Sequence, residues 1–295
     1  MKVLVTGAAG RLGSVTVRAL LAAGFEVRGT DRVYRADSAV RIEVANLLDP
    51  VAPYPLLEGC QAVVHLANHP SLIQNDSVRT FNENVTMNMN LLEAVRQMGL
   101  KKVVFASTIQ VQSGRRGEQP SALPYLPLDS ELPPNPGNAY GLSKQATEIM
   151  LQFYARQHGI HSVALRFPYL IDREMLAHVR DPSHRRHRMG YVNRDEAFTC
   201  LMVDDAASLI LAILKTPLEG FRVYFPAVDG LRGEMTVAQA IHDHFSNVPL
   251  RQPAEEMTSL VDISRITRET GWVPAIGGAE PVGARVPGAS GVAGR

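Results

Sequence analysis

The chain has little of what marks several whole classes of protein. Its cysteines are two, Cys60 and Cys200, in 295 residues, and they are far apart. This excludes a disulfide framework and leaves no C-x-x-C pair for zinc or dithiol redox chemistry, so both read as buried apolar thiols in a reducing compartment. Neither sign of charge is in excess: 30 basic against 29 acidic residues leave +1. No global field gathers a polyanion, and no nucleic-acid partner is expected. Long hydrophobic runs are missing too. The longest candidate, around Leu209 to Leu214, falls well short of the ~20 residues a spanning helix needs and suits a buried helix. After one lysine the chain enters Val3-Leu4-Val5, which leaves no room for the parts of a secretion signal. A soluble cytoplasmic protein with no membrane contact is expected. Apolar residues at 45% and charged ones at 20% are ordinary globular usage, so the chain should fold as one large or two modest domains.

What is present is an alternation of short apolar runs and longer segments of helical period, the signature of βαβ units around a parallel sheet. Strands are expected at Lys2 to Thr6, from Glu26 to Thr30, Val40 to Val44, Gln61 to Ala67, Lys101 to Ser107 and His161 to Phe167. Later strands are expected at Phe198 to Val203 and Phe221 to Phe225, with helices at Asp204 to Lys215, Val237 to Phe245 and Asp262 to Thr270. Two helices, Val78 to Met98 and Ala139 to His158, are apolar on more than one side. Such a helix needs two partners, the sheet and either more of its own chain or a second subunit; a homodimer is expected. Between Gln110 and Asn138 six prolines forbid a helix or a central strand and predict a surface loop. From Asp172 to Gly190 five arginines and three histidines stand against three acids, which reads as an insertion at the sheet edge. Beyond Ala275 the chain is mostly Gly, Ala, Pro and Ser and is expected to be a mobile tail.

Three places carry chemistry. After the first strand comes Thr6-Gly7-Ala8-Ala9-Gly10-Arg11-Leu12-Gly13. Glycines three apart let the backbone turn sharply and approach a pyrophosphate, whose charge meets free amides at the following helix N-terminus. Asp31 closes the second strand, 18 residues after Gly13, where a carboxylate accepts both hydroxyls of an adenosine ribose. That favours NAD, while Arg32 and Arg35 keep NADP open, since guanidinium groups there suit a 2′-phosphate. Finally, Tyr140 and Lys144 stand four residues apart, on one helix face. A cation so close favours the phenolate, which makes Tyr140 a usable general acid/base. Upstream, Ser107-Thr108 ends a strand and offers a hydroxyl to the same substrate oxygen.

These residues resemble the extended short-chain dehydrogenase/reductases, the NAD-dependent epimerase/dehydratase family, which includes nucleotide-sugar epimerases and dehydratases. The resemblance runs from about Met1 to Pro274. It is carried by TGAAGRLG from Thr6, Asn46-Leu47-Leu48-Asp49, His65-Leu66-Ala67, Asn84-Val85, and Leu91-Leu92-Glu93-Ala94. It continues through VVFASTIQV from Val103, LDSELPPNPGNAYGLSK from Leu128, Leu165-Arg166, Val203-Asp204-Asp205-Ala206-Ala207, Asp262-Ile263-Ser264-Arg265-Ile266 and Gly271-Trp272.

The resemblance implies that Thr108 is the catalytic serine or threonine, Tyr140 the acid/base, and Lys144 the lysine that also holds the nicotinamide ribose. It implies that Gly7, Gly10, Arg11, Leu12, Gly13, Asp31, Arg32, Asn46, Leu47, Leu66 and Ala67 line the dinucleotide, that Tyr140 and Lys144 also contact it, and that Ser107, Asn84 and Phe167 lie near it. Two departures stand out. Asn46 replaces the usual aspartate beside the adenine, though an amide still hydrogen-bonds a base. After Arg166 the chain reads Phe167-Pro168-Tyr169-Leu170-Ile171-Asp172 where many nucleotide-sugar enzymes carry an asparagine and a Y-G-P-like stretch. The run Asp172 to Leu176 is similar to the corresponding region of uronate dehydrogenases.

Arg173, Arg180, Arg185, Arg186 and Arg188 offer forks for an acidic substrate, although a charge run also serves as a solvated face. His184 and His187 lack a carboxylate or cysteine partner, and no metal is expected. His65 and His69 are expected to be structural or lining. The fold class expected is α/β, a doubly wound parallel (Rossmann) sheet in residues 1–168, rejoined by parts of 198–226, with a smaller substrate lobe in 169–274 and a flexible tail in 275–295. The function expected is NAD-dependent hydride movement at a carbinol carbon of a sugar or nucleotide sugar, of the epimerase/dehydratase type. A simple NAD(P)-dependent dehydrogenase of a sugar or sugar acid and a non-catalytic cofactor-sensing protein are the alternatives.

Overall fold

A computed structural model of the chain describes residues 1–70, 76–112, 123–175, 196–229 and 236–275. Its main sheet is parallel throughout and built from β1 (Lys2–Thr6), β2 (Glu26–Asp31), β3 (Ile42–Val44), β4 (Ala62–His65), β5 (Lys102–Thr108), β6 (His161–Phe167) and β9 (Phe221–Tyr224). Their order is β3-β2-β1-β4-β5-β6-β9. The chain therefore reverses its winding between β1 and β4, and a crevice opens outside the carboxyl ends of those strands, the place where such sheets bind ligands.

Apolar runs form central strands because both faces are covered. Val3 and Val5 of β1 point into a core with Leu20 of α1 (Arg11–Ala22) and Leu209 and Ile213 of α5 (Val203–Lys215). Leu4, one residue on and thus on the opposite face, joins Leu91 and Val95 of α3 (Ser77–Gln97) and Leu151 and Tyr154 of α4 (Ala139–His158). The short α2 (Pro53–Leu57) closes the edge of this second core. Asp76 caps α3 by accepting from Arg79 N at 2.9 Å, and Asn138 caps α4 by accepting from Gly141 N at 2.8 Å.

A second sheet pairs β7 (Tyr169–Ile171) parallel and β10 (Val228–Asp229) antiparallel to β8 (Thr199–Met202). Then come α6 (Val237–His244), which buries Ala240 and Ile241 with Phe225 and Leu260, and α7 (Ser264–Thr270). Ile266 and Trp272 return to the core under α1 and α5.

Three expectations need correcting. The proline-rich stretch is not only a surface loop: Leu126, Leu128 and Leu132 are fully buried with Phe225, Ile241 and Leu260. Leu126 N donates to Pro249 O and Leu128 N to Leu260 O, both at 2.9 Å. Proline forbids a regular ladder but not these isolated bridges, and the leucines between the prolines supply the burial. The fourth strand stops at His65 rather than Ala67, because the amides of Leu66 and Ala67 turn to Thr6 Oγ1, each at 3.2 Å. The fifth runs one residue further than expected, with Thr108 paired to Phe167. Arg180, Arg185, Arg186, Arg188, His184, His187 and the expected tail lie outside the described residues.

Candidate active site

The carboxyl ends of β1, β2, β4, β5 and β6 surround a cavity of about 790 Å³, well within the size of small-molecule and cofactor sites. Its floor is the turn from Gly7 to Gly13. A Cβ on Gly13 would lie 2.0 Å from Gly7 O, so only glycine lets α1 start this close to the turn. Gly10 caps α1 without a side-chain oxygen, and no acidic residue stands in the first turn. The first amides of the helix and its positive end are thus left for an anion, and the cradle fits a pyrophosphate. Arg11 reaches across the mouth, with Nη1 2.8 Å from Met175 Sδ and 4.0 Å from Asp172.

Asp31 holds one wall. Its Oδ2 accepts from Ala9 N at 3.0 Å, which ties the end of β2 to the glycine turn and leaves the carboxylate beside the cavity. Arg35 is occupied elsewhere, donating to Ala9 O at 3.0 Å and pairing with Asp37 at 2.9 Å. It does not line the cavity, whereas Arg32 does. Asn46 is oriented by Leu48 N, which donates to its Oδ1 at 3.1 Å.

The opposite wall carries Thr108, Tyr140 and Lys144. α4 comes close to the end of β5 because a Cβ on Gly141 would fall 2.3 Å from Gln110 O. Asn138 strengthens that junction by donating to Gln110 Oε1 at 3.0 Å. Ser107 and Thr108 then divide the labour. Ser107 Oγ donates to Glu148 Oε1 at 2.6 Å, behind the site, while Thr108 Oγ1 accepts from Gln110 N at 3.3 Å and keeps its proton to donate. Tyr140 is buried, and Lys144 Nζ lies 5.8 Å from its ring centre. Lys144 is buried as well, and burial pushes its ammonium down to about 7, against the opposing pull of the Glu148 carboxylate. Two of its three N–H bonds are taken, by Asn68 Oδ1 and Ala106 O, each at 2.7 Å.

Of the expected site residues, all but one line this cavity: the glycine turn with Arg11 and Leu12, Asp31, Arg32, Asn46, Leu47, Leu66, Ala67, Ser107, Thr108, Tyr140, Lys144 and Phe167. Asn84 does not. It is fully buried, accepts from His69 N at 2.8 Å and donates to Ser143 Oγ at 3.1 Å, clasping α3, α4 and the segment after β4. Arg173 is described and also stands outside the lining. His65 is buried between Thr6 and Asn88, and burial takes it down to about 3, so it is a neutral structural residue. His69 pairs with Glu83 at 2.7 Å. Among the described residues no group of three or more His, Cys, Asp or Glu could hold a metal. Sequence reasoning missed Asn68, Gln110, Tyr169 and Glu196, which line the same cavity. Asn68 follows His65-Leu66-Ala67 by one residue and Gln110 lies within the stretch from Val103 to Val111, the signals that pointed to them.

A parallel switch-point sheet, a glycine cradle at a helix N-terminus and a hydroxyl–phenol–ammonium wall together define a dinucleotide-dependent oxidoreductase. The chain belongs to the NAD dependent epimerase/dehydratase family, whose model matches residues 3–224. It is 28% identical over 235 residues to a uronate dehydrogenase of Pseudomonas syringae pv. tomato, covering 77% of this chain and 74% of that one. It is 32% identical over 176 residues to a UDP-glucose 4-epimerase of Lacticaseibacillus casei, covering 57% of this chain and 51% of that one. The chain thus matches about half the length of that epimerase. Among solved structures, a Thermus thermophilus UDP-glucose 4-epimerase complexed with NAD superposes with a TM-score of 0.64 at 26% identity, covering 94% of this chain and 95% of that one. No described helix is long and apolar enough to cross a membrane.

Proposed function

We propose that this cavity oxidises a carbinol carbon of a sugar with NAD, with Tyr140 taking the hydroxyl proton. The observation that carries this is the meeting of Thr108, Tyr140 and Lys144 in the cavity that also holds the glycine cradle and Asp31. Bound NAD supplies the hydride acceptor. Thr108 donates to the substrate oxygen, and Tyr140, as phenolate, receives its proton. Lys144 places its charge beside that phenolate, and its remaining N–H would hold the nicotinamide ribose of the bound cofactor. Gly7 to Gly13 and Asp31 would hold the pyrophosphate and the adenosine ribose. Arg35, engaged with Ala9 and Asp37, is not offered to a 2′-phosphate, which supports NAD over NADP.

The net reaction we favour is release of the oxidised product, the dehydrogenase outcome, on a free sugar or sugar acid. Two observations support it: similarity to the uronate dehydrogenase extends over three quarters of both chains, and Phe167-Pro168-Tyr169 replaces the stretch that nucleotide-sugar enzymes carry. The epimerase reading rests on the higher identity over a shorter span. Incubating the full chain with NAD and a panel of free aldoses, uronates and UDP-sugars decides between them. Accumulating reduced nicotinamide with a free sugar or uronate is expected; an epimer formed without accumulation would replace this reading, and turnover of none of the panel would end it.

We also propose a homodimer through α3 and α4. Leu142, Ile149 and Phe153, spaced by seven and four residues, lie on one face of α4 and are exposed at 47%, 60% and 44%, with Met89 of α3 exposed nearby. The double substitution Ile149→Glu and Phe153→Glu is expected to convert a dimer to monomer in sedimentation equilibrium; a wild-type chain that sediments as a monomer would end this proposal. The two cysteines, buried and outside any disulfide, are consistent with a reducing cytoplasmic setting.

A further inference from the structure

We propose that Asn68 is a positioning residue for Lys144: its amide carbonyl, oriented through Asn88 and His65, fixes the ammonium beside Tyr140. The proposal rests on the reading of Tyr140 and Lys144 given above.

The orientation follows from chemistry, starting at the ammonium. As an ammonium, Lys144 Nζ has only donors, so the Asn68 atom 2.7 Å away is the oxygen. That turns Asn68 Nδ2 to Asn88, where it donates to Oδ1 at 2.7 Å, and Asn88 Nδ2 returns toward Asn68 Oδ1 at 3.3 Å. Asn88 Nδ2 also donates to Thr147 Oγ1 at 2.7 Å, which fixes the second amide independently. The Asn88 oxygen also faces His65 Nε2 at 2.7 Å, so that nitrogen carries the proton. His65 Nδ1 is then an acceptor and receives the Thr6 hydroxyl at 2.7 Å. Thr6 Oγ1 in turn receives the amides of Leu66 and Ala67, the turn that leads to Asn68.

The donor and acceptor of every contact in this chain are thus assigned. Thr6, His65 and Asn88 are buried, so reversing any one amide would set two donors or two acceptors face to face away from water, at a cost no buried network tolerates. The network joins β1, β4, α3 and α4, and it ends on one cavity-lining amide. It is therefore a rigid mount for the Asn68 oxygen and, through it, for Lys144.

The groups that face Lys144 set what its loss would do. On its own helix these are Tyr140 and Glu148. From β4 comes His65, neutral. From β6 comes Arg166, paired with Glu148 at 2.8 Å. From β5 come the Ala106 carbonyl and the Phe105 ring with its centre 4.6 Å from Nζ. Burial favours the neutral amine, so the two carbonyl oxygens and the more distant Glu148 hold the charge in place.

The chain has five lysines, which makes a carbon-13 NMR titration of the lysine Cε signals readable, with Lys144 assigned by its loss in Lys144→Met. The experiment uses cofactor-free full-length protein, with melting temperature and NAD affinity measured alongside. Asn68→Asp is expected to raise the Lys144 midpoint by at least ~1 pH unit, as an opposite charge at this range does, and Asn68→Ala to lower it by about half a unit or more. In the active enzyme the pH profile should move the same way while the KM for sugar holds. If folded variants leave the Lys144 midpoint in place, the proposal fails, whatever happens to activity. If the Asp variant does not fold, the Ala variant is read alone; if neither folds, the residue is structural and the proposal fails. Unchanged turnover in Tyr140→Phe would instead sink the reaction reading and leave this result standing.

Discussion

Exchanging Tyr140 for Phe is expected to cut the rate of NAD reduction at least ~100-fold, the range over which a positioned acid/base group acts, with NAD affinity retained. The substitution removes one oxygen from a buried ring. The proposed dinucleotide contacts come from elsewhere, from the glycine turn, Asp31 and Lys144, so binding and chemistry should separate. The fall should be in kcat and in kcat/KM alike, because the lost interaction is made as the proton moves rather than on binding. Titrating NAD by intrinsic fluorescence and measuring steady-state rates on the substrate found in the panel above would check both halves. A Phe variant that keeps more than about a tenth of the wild-type rate would show that proton transfer does not pass through this phenol.

That such a prediction can be attached to one residue reflects how much of the site is written locally. The turn Thr6 to Gly13, the carboxylate at Asp31 and the pair Tyr140 and Lys144 each sit within one strand, one turn or one helix face. Their spacing in sequence is therefore their spacing in space. The alternating apolar runs likewise announce a parallel sheet, since β1 is covered on both faces and carries no polar face to mislead. What stayed hidden depends on contacts between distant segments. Nothing near Leu126 says that the carbonyl of Pro249 waits for its amide, so the prolines dominated and the stretch read as surface. The resemblance put Asn84 near the cofactor, but Ser143, 59 residues away, holds it in the interior. Asn68 was passed over for the same reason: its partners lie on two different helices. The strand ends moved where a side chain, Thr6 Oγ1, took over amides that the ladder would otherwise have used.

The largest stability effect is expected where charge is buried. Arg166 of β6 and Glu148 of α4 have side chains 5% and 6% exposed. Arg166 Nη2 donates to Glu148 Oε2 at 2.8 Å, Nε to Oε1 at 3.0 Å, and Nη1 to Leu132 O at 2.8 Å. Ser107 gives the same carboxylate its hydroxyl proton. One pair thus ties the helix that carries Tyr140 and Lys144, the strand that ends in Thr108, and the buried leucine of the proline-rich stretch. Glu148→Leu would leave a guanidinium in the interior with a single carbonyl, and removing one partner of such a pair costs roughly 3–5 kcal/mol. In a chain of this size that is a fall in melting temperature of about 10 °C. Adding Arg166→Met should restore most of it, because two apolar side chains of similar bulk replace both charges and leave neither unpaired. Calorimetry on the two single variants and the double variant would give the coupling directly, and a double variant as unstable as the sum of the singles would refute the pairing. The rescue should be selective. The double variant regains stability but not full activity, because Ser107 has lost its acceptor beside Thr108, and Lys144 has lost the carboxylate that helps keep its ammonium charged.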